Sequence, residues 1–196
     1  MCGITACVAD ADVVDAVLTG LKNLEYRGYD SAGIATLDRD RDTVRVHKRE
    51  GGIDELIDEV AELEIGGAFG VGHTRWSTHG APTDENAHPH TDCTSSVAVV
   101  HNGIIENYAE LRGELSAAGH RFTSETDTEV IPHLIEEELT GGRSPEAALR
   151  VAVDRLEGSY AIAALIEGAG AVLATRQGSP LVLGIDDDRR FLASDV

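Results

Sequence analysis

Apolar and polar positions divide the chain into short strands and amphipathic helices, and the strands tend to arrive in adjacent pairs. Residues Cys2–Ala9 are almost continuously apolar and predict a buried strand. Asp10–Asn23 switches to helical spacing, with Val13, Val14, Val17, Leu18 and Leu21 on one side. Ala32–Leu37 and Thr43–His47 read as strands flanking the charged turn Asp38–Asp42. Gly51 and Gly52 precede a short helix carrying Ile53, Leu56, Ile57 and Val60. Gly70–His73 predicts a strand feeding a polar stretch, Arg75–Ser95, that is long for an idle connection. Val97–His101 is a further buried strand, and helices are predicted over Ile105–Ala118 and Asp127–Leu139. Ser144 is placed to cap a third helix, with Pro145 at its first position. Strands at Tyr160–Ile166, Ala171–Ala174 and Leu181–Ile185 follow, and the chain ends in a strand-like segment. Paired strands favour stacked antiparallel sheets covered by helices over a doubly wound parallel sheet.

Composition narrows this picture. A chain of 196 residues with 42% hydrophobic residues supports one domain with a substantial core. No apolar run reaches the roughly 20 residues needed to cross a bilayer, so no membrane role is expected. No basic stretch followed by an apolar one marks a leader. Three cysteines, Cys2, Cys7 and Cys93, do not make a disulfide framework and fit a reducing, cytoplasmic setting. Against 16 basic residues stand 35 acidic ones, for a net charge of −19, and only Lys22 and Lys48 are lysines. Such a field argues against a nucleic-acid partner. Because the acid is spread along the chain, it points to a protein of a high-salt, halophilic cytoplasm, where salt screens self-repulsion.

Four stretches can carry chemistry. Cys2 stands directly after the initiator methionine. If Met1 is removed, its thiol is a nucleophile beside a free α-amine, which titrates at roughly 7.7–8.0 and can accept the thiol proton; otherwise Cys2 is a buried strand cysteine. Gly72–Gly80 places Arg75 at a strand end, where its planar fork either pairs with a carboxylate or makes a surface ion pair. His101-Asn102-Gly103 reads either as an Asn-Gly turn or as two donors aimed at one oxyanion. Ser124–Glu129 offers capping boxes (Ser124 with Asp127, Thr126 with Glu129), and its acids are also placed to bind an ammonium. His73, His79, His88, His90, Cys93 and His101 are close in sequence, but they lack the spacing of a zinc motif, so no metal is expected. No glycine-rich phosphate loop is present, and no cofactor is expected.

Taken in order, Met1-Cys2-Gly3-Ile4, Leu24–Gly33, Gly72–Gly80, Asn86–His90, His101–Tyr108 and Ser124–Val130 resemble the glutaminase domain of glutamine–fructose-6-phosphate aminotransferase (isomerising). The resemblance runs from Cys2 to Ala193-Ser194-Asp195. The wider group is the class II glutamine amidotransferases, and the resemblance implies an α+β fold of the N-terminal-nucleophile kind. That fold is a four-layer αββα sandwich with two stacked antiparallel sheets. Cys2 would attack the side-chain amide of L-glutamine, giving a γ-glutamyl thioester and ammonia, with its own amine shuttling the proton. Asn102 and Gly103 would form the oxyanion hole. Arg75, with Thr78 and His79, would hold the glutamine α-carboxylate and Asp127 its α-ammonium. Trp76 would belong to a closing loop, with Arg27 and His88 as supports. The resemblance implies a 2–196 glutaminase domain, truncated at its C-terminal end, without the isomerase domains that use fructose-6-phosphate and with a homodimer only in the full-length enzyme. The alternatives are the corresponding domain of another class II enzyme, such as amidophosphoribosyltransferase, and a non-catalytic glutamine-binding module.

The charge makes the fold salt-dependent. The Debye length shrinks from about 10 Å at 0.1 M salt to about 3 Å at 1 M, which relieves repulsion in a chain of −19. The thermal midpoint is expected to rise between these conditions by more than that of a domain with a neutral surface. A flat midpoint in a salt series followed by circular dichroism would remove the high-salt reading.

Overall fold

Residues 2–63, 65–77 and 80–195 are described by a computed structural model, and every strand pairing among them is antiparallel. The first half of the chain supplies β1 (Gly3–Ala9), α1 (Val14–Asn23), β2 (Ser31–Leu37), β3 (Val44–Glu50), α2 (Ile53–Ala61) and β4 (Phe69–Arg75). It continues with β5 (His90–Thr91), β6 (Val97–Ile105), α3 (Tyr108–Ala118), α4 (Val130–Thr140) and α5 (Pro145–Asp154). The last strands are β7 (Gly158–Ile166), β8 (Val172–Gln177), β9 (Val182–Ile185) and β10 (Arg189–Ala193). One sheet runs β3-β2-β4-β1-β10-β9 and the other β5-β6-β7-β8.

Strand alternation divides the apolar residues into separate layers. Ile4, Ala6, Ala35, Leu37, Phe69 and Val71 from the larger sheet meet Ala98, Val100, Ala161, Ala163 and Leu165 from the smaller one. On the outer face of the larger sheet, Ala32 and Ile34 pack against Val17, Leu18 and Leu21 of α1 and Leu56 of α2. On the outer face of the smaller sheet, Val97, Val99, Ile162 and Ile166 pack against Leu115, Ile131, Leu134 and Leu149 of α3 to α5. The result is helices, sheet, sheet, helices, as the pairing of strands predicts. Glycine makes the first helix layer fit. A Cβ on Gly72 of β4 would lie 2.7 Å from Leu21 Cδ1 and 2.8 Å from Val17 Cγ1, so α1 can lie close to the sheet only over bare backbone.

Three expectations need correction. Asn102-Gly103 is not a turn: β6 runs through both residues to Ile105, paired with β7 as Asn102↔Ala161 and Gly103↔Tyr160. The helix predicted from Ile105 therefore starts later, at Tyr108. The capping boxes are absent, because the N-cap of α4 is Glu129 and has no side-chain cap. The Glu129 carboxylate instead reaches back, accepting from Thr123 N (2.7 Å), Ser124 N (2.7 Å) and Ser124 Oγ (2.6 Å). At the third helix the expected cap forms: Ser144 Oγ accepts from Ala147 N with Pro145 at the first position.

Candidate active site

The sheet register brings the separated motifs together. β1 pairs with β4 so that Gly3 faces Thr74, which sets Cys2 against the end of β4. There the Trp76 N–H donates to Cys2 Sγ at 3.3 Å. From the other sheet, Asn102 Nδ2 donates to the Cys2 carbonyl at 3.0 Å. Asn102 Oδ1 lies 3.0 Å from His73 Nε2, which is also 3.1 Å from His101 O. Both neighbours of that nitrogen are acceptors, so His73 carries its proton on Nε2, and the Asn102 amide is oriented by the network. One hydrogen of Nδ2 is then used on Cys2 and the other is left over. Gly103 has φ 133°, and a Cβ there would lie 1.9 Å from Ser159 O. No other residue type fits that position without moving β7.

A cleft of about 280 Å³ is lined by Cys2, Arg27, Trp76, Asn102 and Gly103. A tight recess beside it is bounded by Cys2, Arg75, Gly103 and Asp127. The larger cavity of about 650 Å³ between α1 and β10 is not lined by Cys2, Asn102 or Gly103 and is separate from this chemistry. Asp127 is held in the recess because its Oδ2 accepts from Ile105 N at 2.8 Å. The Arg75 guanidinium donates to Gly80 O (3.1 Å), Ala81 O (3.2 Å) and Ser77 Oγ (3.3 Å), and so also shapes the loop after β4. Thr78 and His79 lie outside the described residues. Trp76 is 44% exposed, with Tyr29 edge-on at 5.2 Å. Arg27 pairs with Asp195 and so fastens the end of the described chain to the site. Burial pushes the Cys2 thiol above its ordinary value, against the opposing pull of the Trp76 N–H. Near neutral pH the group is therefore a thiol, and a base is needed to make it a nucleophile.

Behind Cys2 is a core of uncharged histidines. His88 stacks on His73 at 4.0 Å and accepts from His101 N at 3.3 Å. His101 Nδ1 meets Thr128 Oγ1 at 2.9 Å and His90 Nε2 meets Thr126 Oγ1 at 3.0 Å, so the cluster grips both residues beside Asp127. Burial lowers His73 to about 3 and His101 to about 4, and pushes His88 and His90 well below the ordinary range. Of these, only His88 was expected near the site as a support. His73 is visible in the sequence inside Gly72–Gly80, but its contact with Asn102 depends on the stacking of two sheets. Asp30 was missed as well: its Oδ2 accepts from Ser77 N at 2.7 Å, and only its place in Leu24–Gly33 pointed to it.

A cysteine at the head of β1, an asparagine–glycine pair on the facing sheet and a four-layer αββα sandwich define the N-terminal-nucleophile amidotransferase class. Residues 73–196 match the glutamine amidotransferase domain family, and the chain belongs to that family. It is 53% identical to the glutamine–fructose-6-phosphate aminotransferase (isomerising) of Halobacterium salinarum and 51% identical to that of Methanothermobacter thermautotrophicus, in both cases over its whole length. The chain spans about a third of the length of these curated relatives (32% and 33%). Among solved structures, the glutamine phosphoribosylpyrophosphate amidotransferase of B. subtilis is 26% identical, with a TM-score of 0.83, over 98% of this chain and 41% of that one.

The buried histidines generate a pH dependence. A histidine in the unfolded chain titrates at about 6.5, so below that pH protons favour unfolding, while the folded cluster stays neutral to about pH 4 or 3. The stability from their neutrality is complete above about pH 6.5 and is lost as pH falls, by about 1.4 kcal/mol per pH unit for each histidine. Urea unfolding at high salt is expected to give a clearly lower midpoint at pH 5.5 than at pH 7. An unchanged midpoint would mean that the cluster takes up protons without cost.

Proposed function

We propose that this domain hydrolyses the side-chain amide of L-glutamine, with Cys2 as nucleophile, once Met1 is removed. The observation that carries the reading is the Asn102 bridge, because it sets an amide N–H beside the thiol that Trp76 N already orients. The freed α-amine of Cys2 takes the thiol proton and the sulfur attacks the amide carbon. The remaining N–H of Asn102 and the backbone N–H of Gly103 receive the charge that develops on the carbonyl oxygen; a single donor of this kind contributes roughly 3–4 kcal/mol. When the intermediate collapses, the C–N bond breaks and the amine's proton leaves with ammonia. Water then attacks the thioester to give glutamate. Arg75 binds the α-carboxylate together with Thr78 and His79, and Asp127 binds the α-ammonium. Trp76 covers the ligand, while Arg27 and His88 hold the walls.

On this reading residues 2–196 are one glutaminase domain. Its ammonia serves the amination of fructose-6-phosphate in a longer protein like the curated relatives, in amino-sugar biosynthesis in the cytoplasm. The net charge of −19 supports a halophilic cytoplasm, as does the likeness to the Halobacterium salinarum relative.

The test is to incubate the 196-residue chain with glutamine and fructose-6-phosphate and to assay glutamate and amino sugar separately. Glutamate alone is expected. Cys2→Ala should abolish it, and Arg75→Ala or Asp127→Ala should lower kcat/KM by roughly 30-fold or more, the equivalent of about 2 kcal/mol for an unpaired buried charge. Folded wild-type protein that releases no glutamate would favour the binding-module alternative.

A further inference from the structure

Apart from the glutamine site, a second cluster of reactive side chains gathers on the helix side of the smaller sheet. Cys93 lies in the turn between β5 and β6, His120 follows the left-handed cap of α3 at Gly119 (φ 106°), and His133 and Glu136 lie one turn apart on α4. The hydrogen bond from His120 N to Leu115 O, 3.0 Å, fixes where that imidazole leaves the chain. His133 is buried and the other three are half-buried. None of the four lines the Cys2 cleft or recess.

We propose that Cys93, His120, His133 and Glu136 form a tetrahedral site for a zinc-type divalent transition metal, which has a structural role. All four donor atoms lie within 4.8 Å of one another. Zinc bonds of about 2.3 Å to sulfur and 2.0–2.2 Å to nitrogen or oxygen place neighbouring donors of a tetrahedron roughly 3.4–3.6 Å apart. Cys93 Sγ is 3.8 Å from His120 Nδ1 and 3.7 Å from His133 Nδ1. Glu136 Oε2 is 2.9 Å and 3.2 Å from the same two nitrogens. Small adjustments therefore convert the cluster into a coordination shell. The outer ring nitrogens face carboxylates, His120 Nε2 towards Glu137 Oε1 at 3.8 Å and His133 Nε2 towards Glu129 Oε1 at 3.9 Å. These contacts are longer than hydrogen bonds, and a small closure would give metal-bound imidazoles the carboxylate backing they commonly have. The Arg121 N–H points at Cys93 Sγ at 3.4 Å, as suits a thiolate. A thiolate with two imidazoles and one carboxylate selects zinc over magnesium or calcium.

Spacing along the chain does not reveal this set, because the histidines nearest to Cys93 in sequence are not its partners. Its partners come from beyond α3 and from α4. The metal would tie the 93 turn and the end of α3 to α4. Through Glu129, which also holds Thr123 and Ser124, it would steady the segment that presents Asp127.

The test is metal content and spectroscopy on the intact chain. Protein purified without chelator should carry about one zinc per chain by mass spectrometry. After chelation and cobalt titration, it should show the visible bands of tetrahedral cobalt with a thiolate charge-transfer band. Cys93→Ser should remove the charge-transfer band, and both Cys93→Ser and His120→Asn should weaken metal binding by at least ~10-fold. Cys2→Ala should leave band and affinity unchanged, and zinc should raise the thermal midpoint of wild type but not of Cys93→Ser. Metal-free protein without bands at equimolar cobalt would overturn the proposal and leave a hydrogen-bonded cluster. A charge-transfer band that survives Cys93→Ser but not Cys2→Ala would overturn it in favour of adventitious binding at the other thiol.

Discussion

The amide of Asn102 joins the two sheets at the point where the chemistry is placed. Its Nδ2 holds the Cys2 carbonyl at the head of β1 and its Oδ1 is held by His73 of β4, although Asn102 itself belongs to the facing sheet. The larger sheet thus contributes the thiol and the histidine, and the smaller sheet contributes the group between them. A slip of one residue in either register would turn Asn102 away from both partners. The packing of Ile4, Ala6 and Val71 against Val100 and Ala161 is therefore a geometric condition on the site as well as a source of stability.

Polar groups in that position are costly unless they are satisfied and uncharged. The histidine cluster is uncharged and mostly satisfied, with His73 Nδ1 and His101 Nε2 left without a hydrogen bond. His88 accepts from the His101 backbone, His90 and His101 bond threonine hydroxyls, and burial keeps the rings neutral. A charged imidazole here would make a free Cys2 amine a weaker base, because a like charge disfavours the ammonium, and it would require its own counter-ion. Asp127 and Glu129 are buried beside the cluster, whereas the acids of stretches such as Asp40–Asp42 and Asp186–Asp188 face solvent.

Much of this was legible in the sequence because the signals are local. β2, α2 and the Ser144 cap follow from periodicity and one capping residue, and the family motifs occur in an unbroken order. Asn102-Gly103 was ambiguous because the same dipeptide that favours a turn also suits a strand whose glycine must clear Ser159 O. The two-residue β5 is too short to show periodicity, and β10 is paired to β1 across most of the chain. Glu129 resembled a cap because its distance from Thr126 was right, whereas its real partners are Thr123 and Ser124. Contacts that depend on how two sheets stack, such as His73 with Asn102, leave no spacing to read. The four-residue cluster around Cys93 was hidden for the same reason.

The claim that this architecture makes Cys2 the nucleophile is tested most directly by labelling. The protein is treated with an electrophilic glutamine analogue bearing a leaving group near the γ-carbon, and then analysed by intact mass and peptide mapping. One adduct is expected, on Cys2, in molecules whose first residue is Cys2, and excess glutamine should protect against it. Labelling of Cys7 or Cys93 in its place, or equal labelling of molecules that retain Met1, would contradict the account.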